Sequence, residues 1–426
     1  MSSPFVAIIA DDLTGAADAA AAFARPGASV PTSMDRYPPP GWQGRTAFAV
    51  TTESRACSPQ EVRQLVSDSL GAALQAGAEL IYKKVDSNLR GNIGLELAAV
   101  SGVLARPIVL APAFPVRGRT TLGGVSLIDG VPVAETEMAS DPEAPVRHSA
   151  LPELILSQQP ELPVRHCPLE DLRAGRCEIA PGHDGGPILI IDAETDTDLA
   201  IIAKLALSTS PLPVLAGSAG LAAAVAAQLL GPAERPAWPT QVGEPVLAVL
   251  ASSSRRLGAQ VEAARDAGAT AIGIVCTSFS WEEELVPELA GAIDSALAEI
   301  KAGRDAVVFA TGPLPGVARA VDLVVEHLAH LSFVVAKRGH PAGLLLGGGS
   351  TAHAILTTLG ASAVDVDDEP LPGIAAGTVA DGHFAGRPLV LKPGAAGGRE
   401  AIVELLHYLR RRAAARETPP PVRSPE

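Results

Sequence analysis

Aromatic residues are scarce in this chain, with 8 Phe, 3 Trp and 3 Tyr among 426 residues. A core without rings must be filled by aliphatic side chains, and the 47% hydrophobic content supplies Ala, Leu, Val and Ile for that purpose. Such a composition suits α/β layers. Basic residues are also in deficit, 33 Lys and Arg against 47 Asp and Glu, giving a formal charge of −14. No basic face for nucleic acid or an anionic membrane is expected from that balance. The four cysteines, Cys57, Cys167, Cys177 and Cys276, form no CxxC pair. Neither a zinc knuckle nor a disulfide framework is indicated, and a reducing cytoplasm fits. No GxxxxGK[ST], no GxGxxG after a strand and no GxSxG occurs, which argues against the corresponding nucleotide motifs and against a hydrolase elbow. His327 and His330 share a helix face without an evident third ligand, so no metal site is assigned.

The long uncharged run Pro211 to Ala233 has a GSAG interruption and Gln228 that predict a buried strand, a glycine turn and a helix rather than a membrane span. The opening residues MSSPFVAIIADD lack a basic n-region and reach acids early, reading as folded chain rather than a secretory signal.

What the chain does contain is strands that end in polar clusters. Val6 to Ala10 ends in Asp11 and Asp12, and an alanine-rich helical pattern follows Thr14 and Gly15. Ligands collect outside the carboxyl ends of strands in open parallel sheets, so two acids there suggest a site. Helix capping by Asp12 or Thr14 is the plainer alternative. Thr46 to Thr51 runs into Thr52, Glu53, Ser54 and Arg55. The brief strand Leu80 to Tyr82 is followed by Lys83, Lys84, Asp86, Ser87, Asn88, Arg90 and Asn92. Lysine, serine and arginine can hold a carboxylate or phosphate while Asp86 accepts from a hydroxyl, which is what recognition of a polyhydroxy acid demands. Ile108 to Ala111 leads to a proline-stiffened loop carrying Arg117 and Arg119. Val131 to Pro181 shows little periodicity beyond one helix near Pro152 to Ser157.

The spacing predicts an α/β fold of two domains, each a mostly parallel sheet flanked by helices. Boundaries fall at 1–232, a Pro- and Gly-rich linker at 233–245, a second domain at 246–413 and a disordered tail at 414–426. In the second domain, Ser252 to Ser254, Gly347, Gly348, Gly349 and Ser350, and Lys392 to Gly398 form small-residue turns between strands and helices. Such turns can present backbone amides to a phosphate chain.

IADDLTGAADAA, SRA at Ser54 to Ala56, KKVDSNLRGNIGLEL, APAFPVRGRTTLGGV, GSAGLA, LGGGSTAHAIL and LKPGAAGG together resemble the four-carbon acid sugar kinase family, the D-threonate and 3-oxo-tetronate kinases. The resemblance runs in the same order along nearly the whole chain. It implies phosphorylation of threonate, erythronate or 3-oxo-tetronate by ATP with Mg2+, the active site lying in the interdomain cleft between an acid-holding N-terminal domain and an ATP-holding C-terminal domain, with self-association left open. Substrate residues carried over are Asp11, Arg55, Lys84, Val85, Asp86 and Ser87, with Asp11 or Asp12 as catalytic acceptor of the hydroxyl proton. ATP residues carried over are Ser253, Gly347, Gly348, Gly349, Ser350 and Gly394. Where the family reads GGDTA or GGETA, this chain has Gly348-Gly349-Ser350-Thr351-Ala352, so a carboxylate is replaced by serine. The alternatives are a sugar-acid sensor with a degenerate ATP site and a kinase for another small hydroxy acid.

Overall fold

The structure, a computed structural model, describes residues 3–179, 186–232, 243–252, 254, 256–274, 287–310, 320–394 and 396–417. Two compact units are present, Met1–Glu234 with Ser362–Gly373, and Arg235–Ala361 with Ile374–Glu426.

The first unit opens with β1 (Val6–Ala10), α1 (Leu13–Phe23), β2 (Val30–Ser33), β3 (Ala47–Thr51), α2 (Pro59–Gln75), β4 (Leu80–Lys84), α3 (Ile93–Val103) and β5 (Ile108–Ala111). A small antiparallel sheet follows, made of β6 (Arg119–Leu122), β7 (Val125–Ile128) and β8 (Val131–Pro132). Next come α4 (Leu151–Gln158), β9 (Val164–Cys167), α5 (Leu169–Arg173), β10 (Ile188–Ile191), α6 (Asp196–Leu207), β11 (Val214–Gly217) and α7 (Ala219–Leu230). The second unit contains β12 (Leu247–Leu250), α8 (Arg256–Asp266), β13 (Thr270–Ile274), α9 (Pro287–Lys301), β14 (Ala306–Ala310), α10 (Ala320–Gly339), β15 (Leu344–Gly347) and α11 (Gly349–Thr358). After β16 (Ala363–Leu371), which belongs to the first unit, it is completed by β17 (Ile374–Val379), β18 (Pro388–Lys392) and α12 (Ala401–Glu417).

The first sheet runs β16-β2-β3-β1-β4-β11-β5-β10-β9. Its strands are parallel except β16, which pairs antiparallel with β2. The continuous apolar runs follow from burial on both faces, as in VAIIA of β1, where every residue is buried. β1 pairs with β3 on one side and β4 on the other, so the order of the chain reverses at β1. A crevice outside the carboxyl ends of the strands opens at such a switch. The second unit repeats the plan as β13-β14-β12-β15-β18-β17, with β12 at its switch and β17 antiparallel.

Several details differ from the sequence reading. The stretch 246–413 is not one unit, because β16 hydrogen-bonds to β2 from Ala363↔Ser33 to Val366↔Val30. Val131 to Pro181, read as irregular around one helix, also holds β9 and α5. The last helix runs through Glu417 instead of ending at the start of a tail at 414, because Ala413 and Ala414 are buried and the RRRAAAR sequence propagates helix well. Cys167 and Cys177, which the scattered spacing left unpaired, are joined as a disulfide. Residues 233–242 of the linker, Ser253, Cys276 and residues 418–426 of the tail lie outside the described residues.

Candidate functional site

Three strand ends of the first unit converge on a cluster of buried charge. Asp11 and Asp12 follow β1, Arg55 lies in the loop after β3, and Lys84 closes β4; each is at least nine-tenths buried. Asp12 is the N-cap of α1: its Oδ1 accepts from Gly15 N at 2.8 Å and its Oδ2 from Thr14 Oγ1 at 2.8 Å. The capping alternative therefore holds for Asp12. Arg55 bridges both acids, with Nε donating to Asp11 Oδ2 at 2.8 Å and Nη1 3.0 Å from Asp12 Oδ2. Asp11 Oδ1 is buried and accepts no hydrogen bond from the described residues. The two adjacent acids thus differ in kind.

Electrostatics follow the same division. Burial alone would raise Asp12, but Arg55, Lys84 and Arg90 together hold its carboxyl below the usual range. Burial would likewise lower Arg55, yet Asp11, Asp12 and Asp86 keep its guanidinium well above its ordinary value. Asp86 is depressed against the cost of burial by Arg90 and Arg55, and Arg90 Nε donates to its Oδ2 at 2.6 Å. Among the described residues, Lys84 has no ion-pair partner although it is only 5% exposed. Val85 is buried, and Ser87 lies beside Asp86 in the turn. In that turn Leu89 adopts a φ of 61°, and in the loop after β3 Glu53 adopts 46°. Both are left-handed conformations that cost energy and tend to gather at functional sites.

Residues outside the set carried over to the site hold these loops. Lys83 is fully buried, its Nζ 2.9 Å from Glu96 Oε2 and donating to Lys84 O at 3.1 Å. Ser54 Oγ donates to Glu96 Oε1 at 2.8 Å, and Ser54 N donates to Asp11 O at 3.1 Å. Asn92 Nδ2 reaches the carbonyls of Ser54, Arg55 and Cys57 at 2.9, 3.1 and 3.2 Å. A glutamate on the buried face of α3 is a signal in principle, but its partner 13 residues earlier cannot be read from spacing. A cavity of about 360 Å³ adjoins the cluster, with Arg55, Gly91, Asn92, Arg147 and His148 in its wall.

The second unit gathers its small-residue turns around β12. Gly348 has a φ of 99°, and a Cβ there would stand 2.6 Å from Ala251 O. A Cβ on Gly394 would stand 2.5 Å from Ser252 Oγ. Gly348 N donates to Lys392 O at 3.1 Å, and Gln260 Nε2 lies 3.0 to 3.1 Å from the carbonyls of Ala396, Gly397 and Gly398. Gly347, Gly349, Ser350 and Gly394 are therefore brought together with the turn after β12, and Gly349 starts α11. Lys392 is buried, with Nζ donating to Gly394 O at 3.0 Å. Close backbone packing at a helix start leaves amides and no side-chain bulk, which fits a phosphate chain. Among the described residues no group of three or more His, Cys, Asp or Glu is arranged to hold a metal ion. None of the described helices is long and apolar enough to cross a membrane.

Comparison with known proteins bears on both halves. Residues 6–225 match a sugar-binding N-terminal domain and residues 247–402 a nucleotide-binding C-terminal domain. A D-threonate kinase of Salmonella typhimurium is 29% identical over 421 residues, covering 94% of this chain and 97% of that protein. A D-erythronate kinase of Heliobacterium modesticaldum is 30% identical over 430 residues, covering 95% and 97%. A solved structure from Salmonella typhimurium LT2 shares the fold with a TM-score of 0.71 at 21% identity, over 95% of this chain and 99% of that one.

Proposed function

The chain belongs to the family that joins a sugar-binding N-terminal domain to a nucleotide-binding C-terminal domain, and from that premise we propose an ATP-dependent kinase that phosphorylates a hydroxyl of a four-carbon sugar acid. Threonate, erythronate and 3-oxo-tetronate are the candidate acceptors. The observation that carries the reading is the unequal pair of acids at the end of β1. Asp12 is saturated by the Gly15 amide of α1, Thr14 and Arg55, whereas Asp11 Oδ1 is a buried acceptor with no donor among the described residues.

Phosphoryl transfer asks a protein mainly for alignment and charge neutralisation. In this reading Asp11 accepts the proton of the attacking hydroxyl, while Arg55 orients both acids. Lys84, buried and without an ion-pair partner among the described residues, holds the substrate carboxylate. Asp86 and Ser87 bind hydroxyls, with Asp86 kept ionised by Arg90 and Arg55. ATP with Mg2+ supplies the phosphoryl group and screens its charge, and the amides of Gly347, Gly348, Gly349 and Ser350, with Gly394 and Ser253, are the groups assigned to the triphosphate. Mg2+, if bound with ATP, would neutralise charge on the phosphates, and Asp11 or Asp12 would be the carboxylates that help position it.

The test is ATP consumption by the purified protein against a panel of tetronates and glycerate, alongside calorimetry with ATP and magnesium. Turnover with a tetronate is expected. Absence of both turnover and heat with ATP would leave a sugar-acid-binding protein and overturn the kinase reading.

A further inference from the structure

α1 carries another carboxylate whose presence its packing does not explain. Around Asp18 the helix is built of Ala16, Ala17, Ala19, Ala20 and Ala21, all buried, and a small apolar residue would fill the position equally well. Asp18 is instead 6% exposed, and its Oδ1 is buried without a hydrogen-bond partner among the described residues. Leaving such an atom unmatched is costly, so a partner that supplies a donor is expected.

Its surroundings say which kind. Asp18 lies one turn beyond Thr14, on the α1 face toward Lys84, whose Nζ would be 3.4 Å from a Cβ on Gly15. Burial pushes the Asp18 carboxyl up, Lys84 and Arg117 pull it down, and Asp12 and Asp86 push it up again. Tyr82, whose hydroxyl donates to Ser218 O, in turn feels the charge of Asp18. These groups come from the ends of β4, β5 and β11 and from the start of α1, the edge that carries Asp11 and Arg55. Among the described residues no ion pair joins Asp18 to Lys84, and no metal-binding cluster includes it. A cationic ligand would be repelled by Lys84 and Arg117, which leaves a neutral donor.

We propose that Asp18 is a specificity-determining residue of the acid site, accepting a hydrogen bond from a substrate hydroxyl while Lys84 holds the carboxylate. The inference rests on the proposed kinase function. A site built to bond a hydroxyl rejects the analogue that lacks it, because its own polar group is then left unpaired.

The experiment uses the full chain and measures kcat and KM for the preferred tetronate, for its deoxy analogues and for ATP, in wild type, Asp18→Ala and Asp18→Asn. Wild type is expected to discriminate against at least one deoxy analogue by roughly 10²-fold or more in kcat/KM. Asp18→Ala should raise KM for the acid by about tenfold or more, leave KM for ATP in place, and shrink that discrimination to below about tenfold. Asp18→Asn should shift both in the same direction by less. Either folded variant with unchanged acid KM and unchanged discrimination overturns the assignment. Failure of both variants to fold does so too, by making the role structural. A wild type that consumes no ATP with any tetronate defeats the functional reading itself, a separate outcome from inert Asp18 variants in an active enzyme.

Discussion

Lys83 Nζ lies 2.9 Å from Glu96 Oε2, with neither side chain appreciably exposed, and this pair underlies both Lys84 and the Ser54-Arg55 turn. Removing one member of a buried ion pair strands the other. Lys83→Met should therefore cost about 3–5 kcal/mol of stability, whereas Lys83→Met with Glu96→Leu should recover much of it. Chemical denaturation of the two variants checks this. A double variant no more stable than the single would contradict it.

Asp11 and Asp12 should separate cleanly by substitution. Asp11→Asn keeps the shape but weakens the proton acceptor, so kcat should fall by roughly 10²–10⁴-fold with little change in ATP affinity. Asp12→Ala removes the α1 cap and should cost about 1–2 kcal/mol of stability. Steady-state kinetics and thermal unfolding distinguish the two. Near-normal turnover in Asp11→Asn would remove Asp11 from the mechanism.

Gly15 offers a reversal of the usual helix rule. Alanine in place of glycine within a helix ordinarily stabilises by about 0.5–1 kcal/mol. Here a Cβ would stand 2.6 Å from Asp12 Oδ1 and 3.4 Å from Lys84 Nζ. Gly15→Ala should instead lower the melting temperature and raise KM for the acid, by displacing Lys84 and the cap. A stabilised variant with unchanged KM would show that the contact relaxes freely.

Gly348 probes the other unit. Its φ of 99° and the 2.6 Å approach of a Cβ to Ala251 O both resist a side chain. Gly348→Ala should weaken ATP binding by about tenfold or more while sparing acid binding, as strain moves the first amides of α11. Titration calorimetry with each ligand reads the two effects apart. Equal loss of both would point to general misfolding.

Asp198 gives a pH-dependent contribution to stability. Despite burial, hydrogen bonds from Arg173, Thr195 and the Glu194 and Thr195 amides lower its carboxyl to about 2. An unfolded aspartate titrates near 3.9, so the folded state favours the ionised form. Its contribution is thus fully present above about pH 4 and is lost as pH falls toward 2. Asp198→Ala should destabilise at pH 7 by about 1–2 kcal/mol through loss of the α6 capping box, and the gap from wild type should close between pH 4 and 2. A gap that stays constant with pH would refute the assignment.

How much of this could be read from the sequence depends on the range of the interaction. Apolar runs ending in acids, the glycine turns and the alternation of strand with helix are encoded within a few residues of each other. They determined the α/β plan, the strand-end positions of Asp11, Arg55 and Lys84, and the small-residue turns of the second unit. Tertiary structure decided what depends on register between distant strands. It made Asp12 a cap and left Asp11 Oδ1 unpaired, spent Arg55 on both acids across 44 residues, and matched Lys83 with Glu96. It also returned β16 to the first unit and brought Cys167 to Cys177. Periodicity fixes which face a side chain takes, but its partner is set by which strands lie adjacent, and that is a property of the whole chain.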